Sequence, residues 1–467
     1  MAKFNSLFAI AFFALFILGA IQEGLAQSEG YKNSERNELD TSNNWSYHFQ
    51  FTTTYQEHGP FKGGTSLNGG NPGPNSFHAA YEHAQSMTTT LFLGRKLWEG
   101  ASLYFNPEVA GGEGLSGVYG TGSPFNGETF KIGNIAPTPY VARAYVRQYF
   151  KLNGNSYEDM ESDKNQTKDH LPDARFVIDI GKFCLADFFD DNKYAHDPRA
   201  QFMNWSLMNN TSWDFAANTR GYTSGIVLEL IHKLWAIRFS SAMVPTVPNG
   251  PNMDLNVFKG HSETFEYEHR LFLRGHKGKI RALIYCTFDK SPTYLDAMNA
   301  FKKGDSSLAN VINGSVERYT YGGEKYGIGV SYDQELTKDL AVFARAGWAD
   351  GHSAIWAFTE VDHGISAGVS IKMDLLKRPY DIVGIGGVVN GISQDHRNYL
   401  AAGATTFNLG DGSLAHYGPE EIIEAYYSFH MSSSLDMSLD YQFMANPGYN
   451  RDRGPVNVYG LRLHVDF

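Results

Sequence analysis

The chain has 467 residues, a formal net charge of −11, and 27 Tyr, 32 Phe and 48 Gly. The acidic balance, without a basic stripe, argues against a nucleic-acid partner, and 2 cysteines are too few for a disulfide framework. A chain of this length that is rich in glycine and aromatic residues predicts one large all-β unit.

The amino terminus has the three parts of a secretory signal peptide. Lys3 precedes an apolar run from Leu7 to Ile21, and Gly24-Leu25-Ala26 supplies small residues for cleavage after Ala26. We assign residues 1–26 to the signal peptide, 27–44 to a short polar segment and 45–467 to the folded unit. Beyond residue 26 no apolar run approaches the roughly 20 residues of a membrane helix. A membrane location would therefore require a closed β-barrel.

From Trp45 onward the chain carries segments of about ten residues in which apolar and polar side chains alternate. This period of two predicts β-strands with one apolar and one polar face. We count sixteen such segments, and the pattern leaves fourteen or eighteen open because strand ends are uncertain by a few residues. They lie near 45–54, 88–97, 101–110, 141–150, 175–184, 222–231, 234–242, 263–273, 279–289, 325–335, 339–348, 364–374, 380–390, 421–430, 434–444 and 456–467.

The connections between these segments alternate between short and long. Turns such as Trp98-Glu99-Gly100 and His232-Lys233 are tight, whereas most of the loops between them are long. Short periplasmic turns and long extracellular loops on an even number of antiparallel strands are typical of transmembrane barrels of bacterial outer membranes. Sixteen strands also leave room for an aqueous channel. One connection breaks the rule: residues 151–174 are long and charged where a short turn is expected, and we expect them to be mobile.

The alternation also assigns side chains to the inside and the outside of the predicted barrel. In strand 141–150 it sends Ala142, Ala144, Val146 and Phe150 outward, and Arg143, Tyr145, Arg147 and Tyr149 inward. Other strands contribute charged and aromatic inward residues, namely Arg238, Glu266, Glu268, Arg270, Lys279, Arg281, Tyr285, Arg345, Glu424, Tyr426, Asp440 and Arg462. Such a lining can bind sugar hydroxyls and rings, or it can be a solvated wall with charges paired across strands. The sequence leaves both readings open.

Loop 185–221 is the densest candidate for function. It carries Asp190, Asp191, Arg199, Trp205, Trp213 and Arg220 among other charged and aromatic residues. Long loops within a compact unit are usually functional, so we expect this one to fold inward as a constriction. A lid on the rim or a docking face for other subunits is the alternative. Asp187, Asp190 and Asp191 could also hold Ca²⁺, although their spacing does not follow an EF-hand loop.

The two cysteines and the last strand complete the pattern. Cys184 and Cys286 fall on the apolar parity of their strands, which predicts free thiols that face lipid rather than a bridge or a metal site. At the carboxy terminus, Tyr459, Leu461, Leu463, Val465 and Phe467 share one face. An apolar face that ends in aromatic residues suits the wall of an outer-membrane barrel, although the last strand of a soluble sandwich would also alternate.

Four stretches of the chain resemble the carbohydrate-selective porin family (OprB-like) of Gram-negative outer membranes. They are Asn126 to Phe150, Gly181 to Met208, Asp214 to Thr223, and the closing NPGYNRDRGPVNVYGLRLHVDF from Asn446 to Phe467. The resemblance covers most of the mature chain. Cys184 stands where Ser is expected from the family.

The resemblance implies a sixteen-stranded barrel through which small sugars such as glucose diffuse passively. It also implies a constriction lined by arginines and acids from inward-folded loops, which corresponds here to 139–149, 187–220, Arg451 and Arg453. No cofactor and no metal is implied. The partners are small sugars and outer-membrane lipid, and assembly as a homotrimer is left open. From these assignments, Arg147→Ala and Arg199→Ala are each predicted to reduce a preference for glucose over NaCl.

Three other functions compete with a sugar channel. The first is an outer-membrane barrel enzyme, because Gly364 to Gly368 reads G-I-S-A-G, the spacing of a serine nucleophile elbow. The alternating residues that follow predict a strand rather than the strand–turn–helix that such an elbow requires. A barrel that acts as an anchor or adhesin would not need inward arginines and tyrosines on many strands. A general or ion-preferring porin would need such inward residues, but the mixed signs of the predicted lining argue weakly against strong ion selectivity.

Overall fold

The computed structural model describes residues 44–63, 73–129, 135–152 and 156–467. The assigned signal peptide and residues 27–43 of the polar segment lie outside the described residues. Within the described ranges, the fold is dominated by one closed antiparallel β-barrel of sixteen strands.

The barrel strands alternate in direction around the cylinder. Their bounds are β1 Trp45–His58, β2 Glu82–Trp98, β3 Ala101–Gly112, β4 Thr138–Lys151, β7 Arg175–Phe183, β8 Thr223–Ile231, β9 Trp235–Met243, β10 His261–Leu273, β11 His276–Asp289, β12 Gly323–Glu335, β13 Leu340–Ala349, β14 His363–Met373, β15 Arg378–Gly391, β16 Glu420–Ser432, β17 Leu435–Ala445 and β18 Val456–Asp466. Two further short strands, β5 Tyr157–Met160 and β6 Asp169–Pro172, form a separate sheet.

The first and last strands close the cylinder. β1 pairs antiparallel with β18, with Phe51 opposite Val465, and the backbone N–H of Phe49 donates to the carbonyl of Phe467 at 2.7 Å. Closure gives every barrel strand two neighbours, which satisfies the backbone groups that an open sheet edge would expose to lipid. The count of sixteen and the position of each predicted strand are confirmed, with end shifts of at most six residues.

The outer surface carries an apolar band between two aromatic girdles. Exposed aromatic side chains at the short-turn end include Trp45, Trp98, Phe272 and Tyr380, and those at the loop end include Tyr81, Tyr326, Trp348 and Tyr459. Exposed aliphatic residues such as Ile284, Ile365 and Leu439 lie between them. An apolar band of this kind matches the hydrocarbon of a membrane, and aromatic rings suit its two interfaces.

Helices occur in the long loops at one end of the barrel. They are α1 Trp205–Met208, α2 Tyr294–Phe301, α3 Ser307–Ile312 and α4 Gln394–Ala401. The longer helices, α2 and α4, pack together through Tyr294 and Tyr399, whose ring centroids lie 5.4 Å apart. Among the described helices, none has both the length and the apolar character to cross a bilayer.

The connection from β4 to β7 differs from the prediction. Instead of a mobile segment, residues 156–173 form a hairpin of β5 and β6 whose backbone closes by the N–H of Asp173 donating to the carbonyl of Ser156. We call residues 156–173 the inner hairpin, because its turn contacts lumen-facing side chains such as Ser46 and Asn106.

Two assignments from strict alternation are wrong. Ala142 is fully buried rather than outward, because the pairing of β3 and β4 shifts register there: Asn106 lies opposite Arg143 and Pro107 opposite Val141. Ala142 is therefore the extra residue of a β-bulge, which reverses the alternation. Cys184 is also buried rather than lipid-facing, because β7 ends at Phe183 and the chain then turns into the barrel.

The other cysteine follows the prediction. Cys286 lies half-buried on the outward parity of β11, alongside the exposed Ile284. Neither cysteine forms a disulfide.

Candidate functional site

Loop 185–221 folds into the barrel and crosses it, as the sequence predicts. Arg345 on β13 donates to Asp190 Oδ1 at 3.0 Å and to the carbonyl oxygens of Leu207 and Ala195 at 2.8 and 2.6 Å. These bonds fix the middle of the loop to the wall opposite the strand from which the loop departs.

A second anchor lies on β16. The carboxylate of Glu424 accepts from the backbone N–H groups of Met203 and Asn204 at 2.6 and 2.9 Å. Asn204 also begins helix α1, where its side chain accepts from the N–H of Ser206, as asparagine commonly does at a helix start. The loop is thus held on several sides of the lumen and narrows it.

The loop and the wall enclose a cavity of about 200 Å³, which we call the central chamber. Its lining is Phe92, Gly127, Glu128, Arg143, Lys164, Asn165, Cys184, Ala186, Asp187, His196, Asp197, Pro198, Arg199, Trp205, Met208, Asn209, Phe215, Gly221 and Phe358. The predicted site residues Arg143, Arg199 and Trp205 meet here. A larger cavity of about 560 Å³ opens among the long loops, lined by residues such as Glu113, Tyr119 and Asn249.

Arg199 lies between two carboxylates of different elements. Its Nε donates to Glu128 Oε2 at 3.0 Å, and its Nη2 donates to Glu108 Oε2 at 3.1 Å. Glu108 belongs to strand β3, and Glu128 belongs to the long loop after it. The guanidinium therefore links loop 185–221 to the wall and to a second loop.

Arg143 forms the other arginine–carboxylate pair of the central chamber. Its Nε and Nη2 donate to the two oxygens of Asp187 at 2.6 and 2.5 Å. Such a two-point contact fixes both groups in one orientation. Asp187 ends the short helical turn Leu185–Asp187, which directs the chain inward directly after β7.

The charges that line the central chamber balance. Three side chains are cationic (Arg143, Lys164, Arg199) and three are anionic (Glu128, Asp187, Asp197). Burial favours a raised pKa for Asp197, but the cations Arg199 and Lys164 hold the pKa of that carboxyl below its usual range. Burial would lower the pKa of Arg199, but Glu128 and Glu108 raise it well above the ordinary value. With all six groups charged, the lining is mixed in sign but neutral in sum.

Several polar atoms of this lining lack hydrogen-bond partners among the residues that the structure describes. They are Nη1 of Arg143, Nδ1 of His196, and both Oδ1 and Nδ2 of Asn209. Buried polar groups are almost always hydrogen-bonded, and leaving one without a partner costs free energy. These atoms are almost fully enclosed, so a solute in the central chamber can bond to them only when neighbouring side chains move.

The other inward residues of strand β4 belong to the wall between the central chamber and the short-turn end of the barrel. Arg147 Nε donates to Asp179 Oδ1 at 2.9 Å, and the two residues lie directly opposite each other on β4 and β7. Tyr145 is buried among aromatic rings, with Tyr104 at 5.1 Å between ring centroids. Tyr149 lines a small cavity of about 80 Å³ together with Arg147.

The wall elsewhere follows the same cross-strand pairing. Arg238 on β9 donates to Glu229 on β8 at 2.8 Å and to Glu266 on β10 at 3.0 Å. Arg281 on β11 donates to Asp333 on β12 at 2.7 Å. These contacts support the interpretation that this part of the lining is a wall of charges paired across strands.

The remaining predicted residues of the loop pack against or bond to other groups of the protein. Trp213 is buried against Phe215, with ring centroids 4.9 Å apart, and the guanidinium of Arg220 lies 4.0 Å from the centroid of the Tyr140 ring. Asp190 is bonded to the wall as described, and Asp191 Oδ2 lies 3.5 Å from Nζ of Lys279. None of the four is in the lining of the central chamber.

The three aspartates considered for Ca²⁺ face three different cations. Asp187 pairs with Arg143, Asp190 with Arg345 and Asp191 with Lys279. Within the described ranges, no group of three or more His, Cys, Asp or Glu side chains is arranged to hold a metal ion.

Arg451 and Arg453 lie at the loop end, away from the central chamber. Arg451 is exposed on the rim. Arg453 is buried, and its Nη1 donates to Asp411 Oδ1 at 2.8 Å while its Nη2 donates to the carbonyl of Phe77. Ser366 of the G-I-S-A-G run lies inside strand β14, opposite Arg345, so the run is not a strand–turn–helix elbow.

Sequence reasoning missed five polar residues of this site. Glu108, Glu128, Lys164, Asn165 and Asn209 either line the central chamber or bind a residue that does. Glu108 lies two residues after the inward Asn106 on β3, so alternation could have predicted that its side chain also points inward. The other four lie in loops, where no periodicity indicates direction.

Comparison with known families supports a porin. The model of the OprB family, described as a carbohydrate-selective porin, matches residues 76–467. No curated protein is significantly similar in sequence.

One solved structure shares the fold, and two others align over similar lengths with lower scores. The high-pH structure of Pseudomonas putida OprB has a TM-score of 0.67 and 15% identity, covering 91% of this chain and 94% of that chain. The low-pH structure of the same protein has a TM-score of 0.46 and 12% identity, covering 93% and 100%. The outer membrane channel DcaP of Acinetobacter baumannii has a TM-score of 0.49 and 9% identity, covering 92% and 100%.

Proposed function

This chain belongs to the OprB family of carbohydrate-selective porins, and we propose that it passes monosaccharides such as glucose across the outer membrane by passive diffusion. It is an integral outer-membrane β-barrel. A concentration gradient drives the solute, and no cofactor or nucleotide takes part. The predicted leader would direct export of the chain.

The observation that carries the proposal is the polarity of the central chamber. Its three cations and three carboxylates balance, so the lining favours neither cations nor anions strongly. The side chains of Arg143, His196 and Asn209 hold polar atoms without a hydrogen-bond partner in the described part of the chain. A sugar is neutral and carries hydroxyl groups that both donate and accept, so it matches both properties.

The size of the central chamber supports a small solute. Its volume of about 200 Å³ is many times the roughly 10–15 Å³ that a single water needs. The space therefore admits a small solute in place of several waters. Trp205 and Phe215 add aromatic surface to the lining, on which the apolar face of a pyranose ring can pack. Weak binding is required, because a channel must also release its solute.

A liposome-swelling series tests this function. Vesicles containing the purified barrel are exposed to isosmotic arabinose, glucose, maltose and maltotriose, with NaCl as the ionic reference. We expect fast swelling with the two monosaccharides, a steep fall at the disaccharide, and slower swelling with NaCl than with glucose. Equal rates for glucose and NaCl would instead identify a general or ion-preferring porin.

Assembly as a homotrimer is a separate part of the proposal. The lipid-facing side of β14 to β17 carries a hollow of about 460 Å³ among Ile365, Ala367, Val389 and Ile423. Side chains of another copy could fill this hollow. The mass of the detergent-solubilised particle, after subtraction of bound detergent, distinguishes one copy from three.

A further inference from the structure

The inner hairpin is longer than the barrel topology requires. Strands β4 and β7 are neighbours in the wall, and Lys151 pairs directly with Arg175 across them. A tight turn of the kind seen at Glu99 and Gly100 suffices to join such neighbours. The chain instead builds two extra strands and a turn in which the N–H of Asp163 and the carbonyl of Gln166 are 3.1 Å apart.

The turn of the inner hairpin lies inside the lumen. Ser162 Oγ is 2.7 Å from Ser46 Oγ on β1 and 3.0 Å from Nε2 of His48. Asn106 on β3 donates to Oδ1 of Asn165 at 2.7 Å. Asn106 is five residues from the start of its strand at Ala101, which corresponds to on the order of 15 Å along the wall. The hairpin therefore reaches well into the barrel from the short-turn end.

Further contacts hold the inner hairpin to several strands. Oγ1 of Thr167 lies 3.1 Å from Oγ of Ser102 on β3, and Nζ of Lys96 on β2 is 3.2 Å from Asp169 Oδ1. Nη1 of Arg175 donates to Glu158 Oε1 at 2.7 Å. The hairpin is thus attached around its length by polar contacts, which suits a segment surrounded by lumen water.

The turn also forms one side of the central chamber. Lys164 and Asn165 belong to its lining, together with Arg143 and Arg199. Lys164 in addition forms an ion pair with Asp466 at the end of β18. The cavity of about 80 Å³ behind the hairpin is smaller than the central chamber and is bounded by Arg147 and the hairpin's Thr167. A solute that leaves the chamber towards the short-turn end meets the hairpin next.

We propose that the inner hairpin is a second constriction, in series with loop 185–221, and that Lys164 and Asn165 set the size limit at the inner exit of the pore. This inference rests on the proposed function, because it assigns the exit of the same solute path. Loop 185–221 narrows the lumen from the long-loop side, and the inner hairpin narrows it from the short-turn side. The two elements enclose the central chamber between them.

Shortening the hairpin tests the proposal directly. In this variant two glycines replace residues 156–173, and the barrel is checked by its β-rich circular dichroism spectrum. We expect the single-channel conductance in KCl to rise at least twofold, and the swelling series to extend to a sugar larger than the largest that the unmodified protein admits. Unchanged conductance and an unchanged size limit would overturn the proposal.

A point variant decides the question if the shortened protein does not fold. Asn165→Trp adds bulk to the lining of the central chamber, and we expect it to reduce glucose swelling at least threefold. His170→Trp is the matched control, since His170 lies on the same hairpin, is exposed, and lines neither cavity. Equal swelling rates for Asn165→Trp and the control would contradict the assignment.

The same vesicles separate this inference from the proposed function. If the unmodified protein prefers glucose to NaCl but the hairpin variants behave like it, the hairpin assignment fails and the sugar channel stands. If conductance rises on shortening while glucose and NaCl pass equally in the unmodified protein, the hairpin is a constriction of a porin without sugar preference.

Discussion

Arg199, on the loop that crosses the lumen, donates to the carboxylate of Glu108 on the barrel wall at 3.1 Å. The two residues are 91 positions apart in the chain. The same guanidinium reaches Glu128 at 3.0 Å, so one cation stands between two acids beside the central chamber. The charge balance of the central chamber depends on this arrangement.

Arg199→Ala should make the pore prefer cations. The substitution changes the lining from three cations and three carboxylates to two and three. A change of one charge at a few ångströms is expected to contribute on the order of 1 kcal/mol, about a fivefold change in the K⁺/Cl⁻ permeability ratio. The ratio is measured from the reversal potential in a KCl gradient. Arg451→Ala, which removes an exposed arginine at the rim, should leave it unchanged.

Arg147→Ala tests the sequence-based expectation that Arg147 and Arg199 each contribute to the preference for glucose over NaCl. Arg147 does not line the central chamber, and it pairs with Asp179 across two wall strands. We therefore expect its removal to change the ratio of glucose to NaCl swelling less than Arg199→Ala does. A larger effect for Arg147→Ala would place the selective contact nearer the short-turn end of the barrel.

Asn209→Ala should weaken glucose binding without closing the pore. The side-chain amide of Asn209 lines the central chamber, and within the described part of the chain neither its oxygen nor its nitrogen has a hydrogen-bond partner. A neutral hydrogen bond contributes about 0.5–1.5 kcal/mol, so glucose should bind roughly 2- to 12-fold more weakly. Glucose-induced current noise or current block reports this constant. Asn256→Ala, in an exposed outer loop, is the control and should not change it.

Arg345→Ala should release loop 185–221 from the opposite wall. The substitution removes the bonds to Asp190, Ala195 and Leu207, and it leaves the Asp190 carboxylate buried without its cation. Loss of one partner of a buried ion pair costs about 3–5 kcal/mol. We expect larger, noisier conductance and protease cleavage within the loop.

Arg270→Ala provides the comparison for Arg345→Ala. Arg270 also points into the lumen, where its Nε lies 3.5 Å from Glu268 Oε1 and its Nη1 donates to the carbonyl of Lys233 in the turn between β8 and β9. Its removal should leave both the noise and the protease resistance as in the unmodified protein. Identical behaviour of the two variants would indicate that Arg345 does not hold the loop.

Glu360 should make the packing of the outer loops depend on pH. Burial raises the pKa of Glu360 to about 7, although His396 on helix α4, with Nε2 at 3.4 Å from Glu360 Oε2, lowers it in part. Between the unfolded pKa near 4.5 and the folded pKa near 7, the folded state binds more protons than the unfolded state. Stability from this group therefore falls as the pH rises through that window.

Hydrogen exchange of residues 350–362 and 394–401 is the measurement for Glu360. We expect slower exchange at pH 5 than at pH 8, after correction for the intrinsic rate. Glu360→Gln, which cannot ionise, should show no such difference. The low pKa of Asp362, caused by Lys325 and His396 against the effect of burial, places its contribution at lower pH, outside this window. An equal pH effect in Glu360→Gln would assign the dependence to another group.

The alternation of side chains was enough to predict the barrel. Because successive residues of a strand point to opposite faces, a strand such as β17 displays in its letters which side meets lipid and which meets water. The same rule placed Arg345 and Glu424 inside. It failed at Ala142, where one bulged residue shifts the pairing, and at Cys184, where the strand has already ended.

The sequence by itself therefore determined a barrel of about sixteen strands and most of its inward and outward faces, because these depend on local periodicity. That loop 185–221 enters the lumen was an expectation from its length and composition, with a lid or a docking face as the alternative. Only the tertiary structure decided that Arg199 meets Glu108 and Glu128, and that the inner hairpin brings Lys164 and Asn165 to the same chamber. These groups approach one another only when the cylinder closes and loops from distant parts of the chain fold into it. No periodic pattern encodes that approach, since loop side chains have no fixed alternation.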